Sequence, residues 1–213
     1  MKTLAIALLF TALTIGLSGA SSAGDVKQTT TMHRLKDFSI VENAKAELTR
    51  MDHGVYMNVQ TNDLAAGHVV TMWFLVFNNP EFCSGGECNA DDVFNLNADG
   101  SFIFNADGSL PMNTDAWETI KLSLLRADGV IVDSDGTAEF RGHLPIGDTS
   151  EAVAGPGLLD AMKAEIHAVL RDHMKPKPEM LSAMLNSMNA GCSETFPGDP
   201  CFDPQIAVFK PTN

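Results

Sequence analysis

The sequence is poor in basic residues and has no long apolar run beyond its first residues, and each shortage excludes a class of protein. Lysine and arginine total 14 against 27 acidic residues, which gives a net charge of −13. A surface this acidic repels nucleic acids and anionic membranes. Beyond residue 17, no segment approaches the ~18 uncharged apolar residues of a membrane-spanning helix. We therefore expect no nucleic-acid partner and no membrane insertion after the N-terminal segment is removed.

The motifs of common hydrolases are also absent. The sequence contains no G-x-S-x-G, H-E-x-x-H or S-x-x-K motif. No pair of carboxylates has a spacing that argues for glycoside cleavage. The sequence favours a protein that is not an enzyme and leaves a secreted hydrolase as an alternative.

The first 23 residues have the pattern of a signal peptide. A basic residue precedes the apolar segment Leu4–Leu17, and small residues follow it. This order predicts cleavage after Ala23 or, alternatively, after Ala20. We expect an exported protein, periplasmic or secreted, in which residues 24–37 form a flexible arm and residues 38–213 form one domain.

Cysteine is scarce, and its placement predicts two disulfides. Four cysteines allow three pairings, and proximity favours Cys83 with Cys88 and Cys192 with Cys201. The spacings are C-x4-C and C-x8-C, whereas zinc sites commonly use C-x-x-C, and an exported chain favours the bridge.

The longest apolar run after the signal segment is Val69–Phe77. Both of its alternating faces are apolar, so neither face can be exposed to water. Its β-branched and aromatic content favours a strand, and Asn78, Asn79 and Pro80 end it. We predict a central strand that is covered on both faces.

Shorter alternating runs predict an antiparallel β-sandwich around this strand. A hairpin is expected from Ala46–Met51 and Val55–Thr61, and further strands at Thr119–Arg126, Gly129–Asp133, Thr137–Leu144, Lys163–Arg171 and Ile206–Phe209. One short C-terminal helix is expected after Pro178, because apolar residues recur there at helical spacing and Gly191 follows.

Two segments carry a resemblance to a known family. Trp73–Cys83 has the pattern W-x-x-V-F-N-N-P-x-x-C, and Ala164–His173 contains A-E-I-H followed by R-x-H. The chain resembles a family of exported bacterial proteins with these segments, which implies export and a β-rich fold but no reaction. A fainter likeness is to sandwich domains of the chordin and fibronectin kind, although Val70 stands where a tyrosine corner would have its tyrosine.

The most suggestive polar pattern is on two of the predicted strands. If Thr137–Leu144 and Lys163–Arg171 lie side by side, then His143, Glu165 and His167 share a surface and can bind Zn²⁺ or Cu²⁺. The alternative is a ladder of opposite charges across a solvated sheet.

Other side chains suggest binding roles. Arg171 and His173 adjoin the surface just described, and Trp117 lies between a loop and a strand, where it can stack on a sugar or pack at the rim. Trp73 is expected in the core.

Two further patterns have simple structural explanations. Met180, Met184 and Met188 are one helical turn apart, which suits Cu⁺ but also a core-facing stripe. Residues 97–101 and 105–109 repeat N-A-D-G-S, which suggests calcium or tight turns. The sequence thus predicts an exported, disulfide-stabilised binding or structural module, with a Zn or Cu protein as an alternative, and assigns no partner.

Overall fold

Nine strands form the framework of the molecule. The structure, a computed structural model, describes residues 24–99, 103, 111–192 and 201–212. The strands are β1 (Val26–Arg34), β2 (Ile40–Met51), β3 (Gly54–Thr61), β4 (Val69–Phe77), β5 (Leu122–Ile131), β6 (Ala138–Pro145), β7 (Ala152–Ala154), β8 (Glu165–Asp172) and β9 (Phe202–Phe209). Within the described residues the α-helices are short: α1 (Ala90–Val93), α2 (Thr114–Ile120) and α3 (Leu181–Asn186). Turns of 3₁₀ helix occur at Pro80–Phe82, Ser84–Gly86 and Pro178–Met180.

These strands form one antiparallel sheet that curls into a half-barrel. Their order is β6-β3-β2-β1-β9-β8-β4-β5-β7. The mainly β, antiparallel class predicted from the sequence is confirmed, whereas the β-sandwich is not, because the described strands belong to a single sheet. β5 and β6 also approach each other: the Arg141 amide donates to Asp128 Oδ2 at 2.8 Å, and Gly142 leaves room for the Phe74 ring.

The central strand β4 has the predicted bounds and lies between β5 and β8. Its inner-face residues, such as Met72 and Phe74, belong to the core enclosed by the curled sheet. Trp73 on the outer face is also buried, and α3 packs over β4 and β5 on this side. α3 lies very close to β5, as a Cβ atom at Gly129 of β5 would collide with the Leu185 carbonyl of α3. The prediction of cover on both faces is therefore confirmed.

A second apolar cluster lies at the end of β4. It contains Phe77, Cys83, Cys88, Val93, Ile120 and Leu122. The Cys83–Cys88 disulfide holds the 3₁₀ turns together, and a capping box of Asn89 and Asp92 begins α1. Where β4 stops, the Asn78 side chain donates to the Lys121 and Gly157 carbonyls, which fixes the chain after the strand.

The contact between β1 and β9 is short, and a buried arginine extends it. The ladder contains only two residue pairs, and both lie at the Arg34 end of β1. Beyond them, the Arg50 guanidinium donates to the Phe209 and Lys210 carbonyls of the chain at the end of β9. It also donates to the Ala161 and Ala164 carbonyls and to the Gln28 side chain. Burial lowers the pKa of Arg50 to about 10, so it remains charged at neutral pH.

Two segments differ from their predicted local structure. Residues 26–34, predicted as part of a flexible arm, form β1 between β2 and β9. Of the nine residues of β1, only Met32 is buried, so the strand lacks the apolar alternation by which buried strands are recognised. The predicted strands Thr119–Arg126 and Gly129–Asp133 are largely one strand, β5, which follows α2 directly. A left-handed Lys121 ends α2 and allows this change of direction.

Some predictions fall on parts of the chain that the structure does not describe. The signal peptide, residues 1–23, and most of the two N-A-D-G-S segments lie outside the described residues. Among the described residues, no helix has the length and apolar content needed to cross a membrane.

Candidate functional site

The strands that carry the predicted metal ligands are not neighbours. β6, with His143, pairs with β3, while β8, with Glu165 and His167, lies between β4 and β9. The expectation that these two strands lie side by side is therefore wrong. Alternation of polar and apolar residues predicts which face of its strand a side chain occupies, but it does not predict which strand lies next to it. Among the described residues, these three side chains form no group whose ligand atoms lie close enough to share an ion.

Glu165 and His167 instead form a buried, hydrogen-bonded pair on the outer face of β8. The Glu165 Oε1 and His167 Nε2 atoms are 2.8 Å apart, and the Phe77 ring lies against the imidazole. The Lys210 ammonium is 3.2 Å from Glu165 Oε2. Burial alone would raise the pKa of Glu165, but the hydrogen bond and charge of His167, together with Lys210, hold that pKa below its ordinary value. The carboxylate is therefore ionised and fully engaged in structural contacts.

His173 lies beneath the segment that follows α3 and is fully buried. Its Nδ1 atom is 2.8 Å from the Ala190 carbonyl oxygen, so this nitrogen carries the proton. Its Nε2 atom is 2.8 Å from Thr71 Oγ1, which therefore donates, and the Trp73 indole donates to the same hydroxyl. Burial lowers the pKa of His173, against the raising effect of the Ala190 hydrogen bond. The imidazole is thus neutral and its tautomer is defined.

The second cysteine pair lies beside this imidazole. Cys192 and Cys201 are disulfide-bonded, as Cys83 and Cys88 are, which matches both predicted pairings. The His173 Nδ1 atom is 3.8 Å from Cys192 Sγ and 3.6 Å from Cys201 Sγ. In the described part of the chain, this is the one group of three metal-ligating side chains whose ligand atoms all lie within 4.8 Å of one another.

The other predicted binding residues make contacts within the protein. Arg171 donates to the Met188 carbonyl and to Asp203 Oδ1. Trp117 is part-buried in α2, packs against the second apolar cluster and donates its indole N–H to the Val93 carbonyl. Its position thus fits packing at the rim, and a sugar-stacking role for Trp117 stays a prediction.

Among the methionines of the predicted stripe, Met184 is fully buried and packs against Gly191. It takes the core-facing position that the structural interpretation predicted. The Cu⁺ interpretation of the stripe stays a prediction.

The outer face of β1, β2, β3 and β6 is different, because polar and aromatic side chains there are exposed. We call it the open face. Tyr56 and His143 stand opposite each other on β3 and β6, and their rings stack with centroids 4.1 Å apart at an angle of 8°. Beside them, a groove of about 410 Å³ is lined by Glu47, Thr49, Tyr56, Met57, Asn58, Arg141, Gly142 and His143.

One polar atom of the open face has no hydrogen-bond partner among the residues that the structure describes. Asn58 Oδ1 is buried and has no hydrogen bond in the described structure, while its Nδ2 atom donates to Glu139 at 3.4 Å. The charges near it are paired: Arg141 with Glu139 at 2.8 Å, and Lys45 with Glu47 at 3.0 Å. The sequence indicated His143 as a candidate binding residue but not Tyr56 and Asn58, because pairing between β3 and β6 is not local.

Comparison with known proteins gives no match for this chain: no family model, curated protein or solved structure is similar.

Proposed function

We propose that this protein is an exported, non-enzymatic binding module that holds a neutral saccharide on its open face. The observation that carries the proposal is the exposed Tyr56–His143 stack beside the unpartnered Asn58 Oδ1. Export is supported by the predicted signal peptide and by two disulfides, which persist in oxidising compartments.

The stack supplies the apolar part of a saccharide site. Tyr56 is 49% exposed, yet its ring is held in place by His143 and by the strand beneath it. An aromatic ring that is already fixed loses little conformational entropy when a ligand packs on it. A sugar ring presents C–H groups that suit such a surface, and its hydroxyls remain free for polar contacts.

The polar part of the groove suits a neutral ligand with both donors and acceptors. Asn58 lines the groove, and a rotation of its amide would bring Oδ1, now buried without a partner, to a donor of the ligand. Such a bond would remove the cost of an unpaired buried acceptor, about 1–3 kcal/mol. Thr49 adds a hydroxyl at the groove wall. Because Arg141 and Glu47 already have charged partners, the face offers little net charge to an ionic ligand. The overall charge of −13 further disfavours anionic ligands.

The test is a titration of the mature protein with a panel of neutral oligosaccharides, followed by NMR shifts of the β3 and β6 amides. We expect shifts centred on Tyr56 and Asn58. Tyr56→Ala should abolish binding, and Tyr56→Phe, which keeps the ring, should retain most of it. Gln60→Ala is the matched control, because Gln60 is exposed on the same strand but outside the groove. A panel without a binder, or equal losses in Tyr56→Ala and Gln60→Ala, would overturn the proposal.

A further inference from the structure

The Cys192–Cys201 disulfide and the buried His173 together have the composition of a metal site. Two thiolates and one imidazole are a common ligand set for Zn²⁺, which binds sulfur and nitrogen in tetrahedral geometry. The spacing of the two cysteines did not indicate such a site, because the third ligand, His173, follows β8 and lies 19 residues before Cys192. We propose that, when this disulfide is reduced, Cys192, Cys201 and His173 bind one Zn²⁺ ion.

The present distances already approach those of a zinc site. With Zn–S near 2.3 Å and Zn–N near 2.0–2.1 Å, a tetrahedral ion holds sulfur and nitrogen about 3.6 Å apart. The His173 Nδ1 atom lies 3.6 Å and 3.8 Å from the two sulfur atoms. The two sulfurs, which are bonded now, would have to separate to about 3.8 Å. Reduction of the bridge permits that separation. The Ala190 carbonyl oxygen, which faces Nδ1 at 2.8 Å, would also have to move aside.

The contacts behind the imidazole are those that orient a metal-binding histidine. His173 Nε2 faces Thr71 Oγ1, and the Trp73 indole holds that hydroxyl in position. A metal-bound histidine usually donates its other ring N–H to such a partner. When Nδ1 binds zinc, its proton is replaced by one on Nε2, which then donates to the Thr71 hydroxyl. The Ala190 carbonyl, now 2.8 Å from Nδ1, is released from its hydrogen bond.

A dithiol can reduce the Cys192–Cys201 bridge. A dithiol donor transfers two electrons and two protons to the Cys192–Cys201 bridge, which yields two thiols and leaves the donor as a disulfide. Binding of Zn²⁺ then releases the two thiol protons, since the ligands are thiolates, while the histidine only exchanges its tautomer. A water molecule completes four-coordination. The site would be closed by the bridge under oxidising conditions and open to zinc under reducing conditions.

The test uses mature protein with Cys83→Ser and Cys88→Ser, so that a single cysteine pair remains. The protein is reduced with a phosphine, transferred to anaerobic buffer and titrated with Zn²⁺ against a chromophoric chelator. We expect one Zn²⁺ per chain after reduction and none while the bridge is intact. His173→Asn should weaken binding at least tenfold, and Thr71→Val should weaken it by about tenfold through the lost orientation of the ring.

A second measurement does not depend on whether the His173 and Thr71 variants fold. It uses the zinc-loaded protein with Cys83→Ser and Cys88→Ser, in which His173 and Thr71 are unchanged. X-ray absorption at the zinc edge of this protein should show two sulfur ligands and at least one imidazole. The absence of zinc from the reduced protein, an all-sulfur or all-oxygen shell, or an unchanged affinity in folded His173→Asn would each overturn the proposal.

Discussion

Replacement of Arg50 tests how the half-barrel is closed where the β1–β9 ladder ends. Its guanidinium is fully buried and donates to five acceptors: the Gln28 side chain and the carbonyls of residues 161, 164, 209 and 210. These acceptors belong to separate parts of the chain, so one side chain joins β2 to β1, to the end of β9 and to the segment before β8. We expect Arg50→Lys to destabilise the protein strongly although it keeps the positive charge.

The expected magnitude follows from the number of donors. A lysine has three N–H donors, so at least two of the five acceptors must lose this partner. Each buried polar group left unsatisfied costs about 1–3 kcal/mol, which gives a loss of about 2–6 kcal/mol. The total stability of a domain is about 5–15 kcal/mol, so the loss is a large fraction of it. With an m value near 3 kcal/mol/M, the urea midpoint should fall by about 0.7–2 M.

The assay is urea unfolding at neutral pH without a reductant, followed by circular dichroism. Arg141→Lys is the matched control, because Arg141 is 75% exposed and pairs only with a surface carboxylate, so its replacement should change stability by less than ~1 kcal/mol. Equal midpoints for Arg50→Lys, Arg141→Lys and the parent would refute the role assigned to Arg50.

Three further predictions use the same unfolding assay. Trp73→Ala should cost about 3–5 kcal/mol, because a buried indole is lost beneath α3, and a variant as stable as the parent would contradict the packing of β4. The joint Cys83→Ser and Cys88→Ser variant should have a free energy of unfolding lower by about 2 kcal/mol, because the disulfide no longer closes a short loop in the unfolded state. An unchanged free energy of unfolding would show that the disulfide does not stabilise the 3₁₀ turns. Glu165 has a lowered pKa when folded, so the unfolded state takes up its proton first as the pH falls, and the stability that Glu165 contributes should be lost from about pH 4.5 downward. Glu165→Gln should therefore flatten the pH dependence in this range, and an unchanged slope would contradict the pairing with His167.

The sequence was most informative where local pattern decides the structure. Nine apolar residues followed by Asn78, Asn79 and Pro80 define β4, and its bounds are as predicted. The β2–β3 hairpin and the two cysteine pairs also follow from short-range features. The N-terminal strand was missed, because β1 is held by backbone pairing and buries only Met32 completely.

The candidate sites depended on contacts between distant segments, which the pattern does not encode. Tyr56 stands opposite His143 only because β3 pairs with β6, and alternation is compatible with any partner strand. In the same way, His173 lies beside the Cys192–Cys201 pair because the end of β8 and the start of β9 meet under the segment after α3. The cysteines and the histidine were each recognised, but their proximity was not.

The short β1–β9 ladder has a consequence for how the two proposed sites relate to each other. It divides the sheet into one group of four strands, β1, β2, β3 and β6, and another group that includes β4, β5, β8 and β9. Two ladder pairs, the Arg50 contacts and the hydrogen bond from Gln28 to the Lys210 carbonyl join β1 to β9 and the residue after it. Because the ladder is so short, we expect the amides at this boundary to exchange with solvent sooner than those within either group. The open face belongs to the first group and the cysteine–histidine cluster to the second. The two sites thus lie in different parts of one sheet, although both groups of strands contribute residues to the same core.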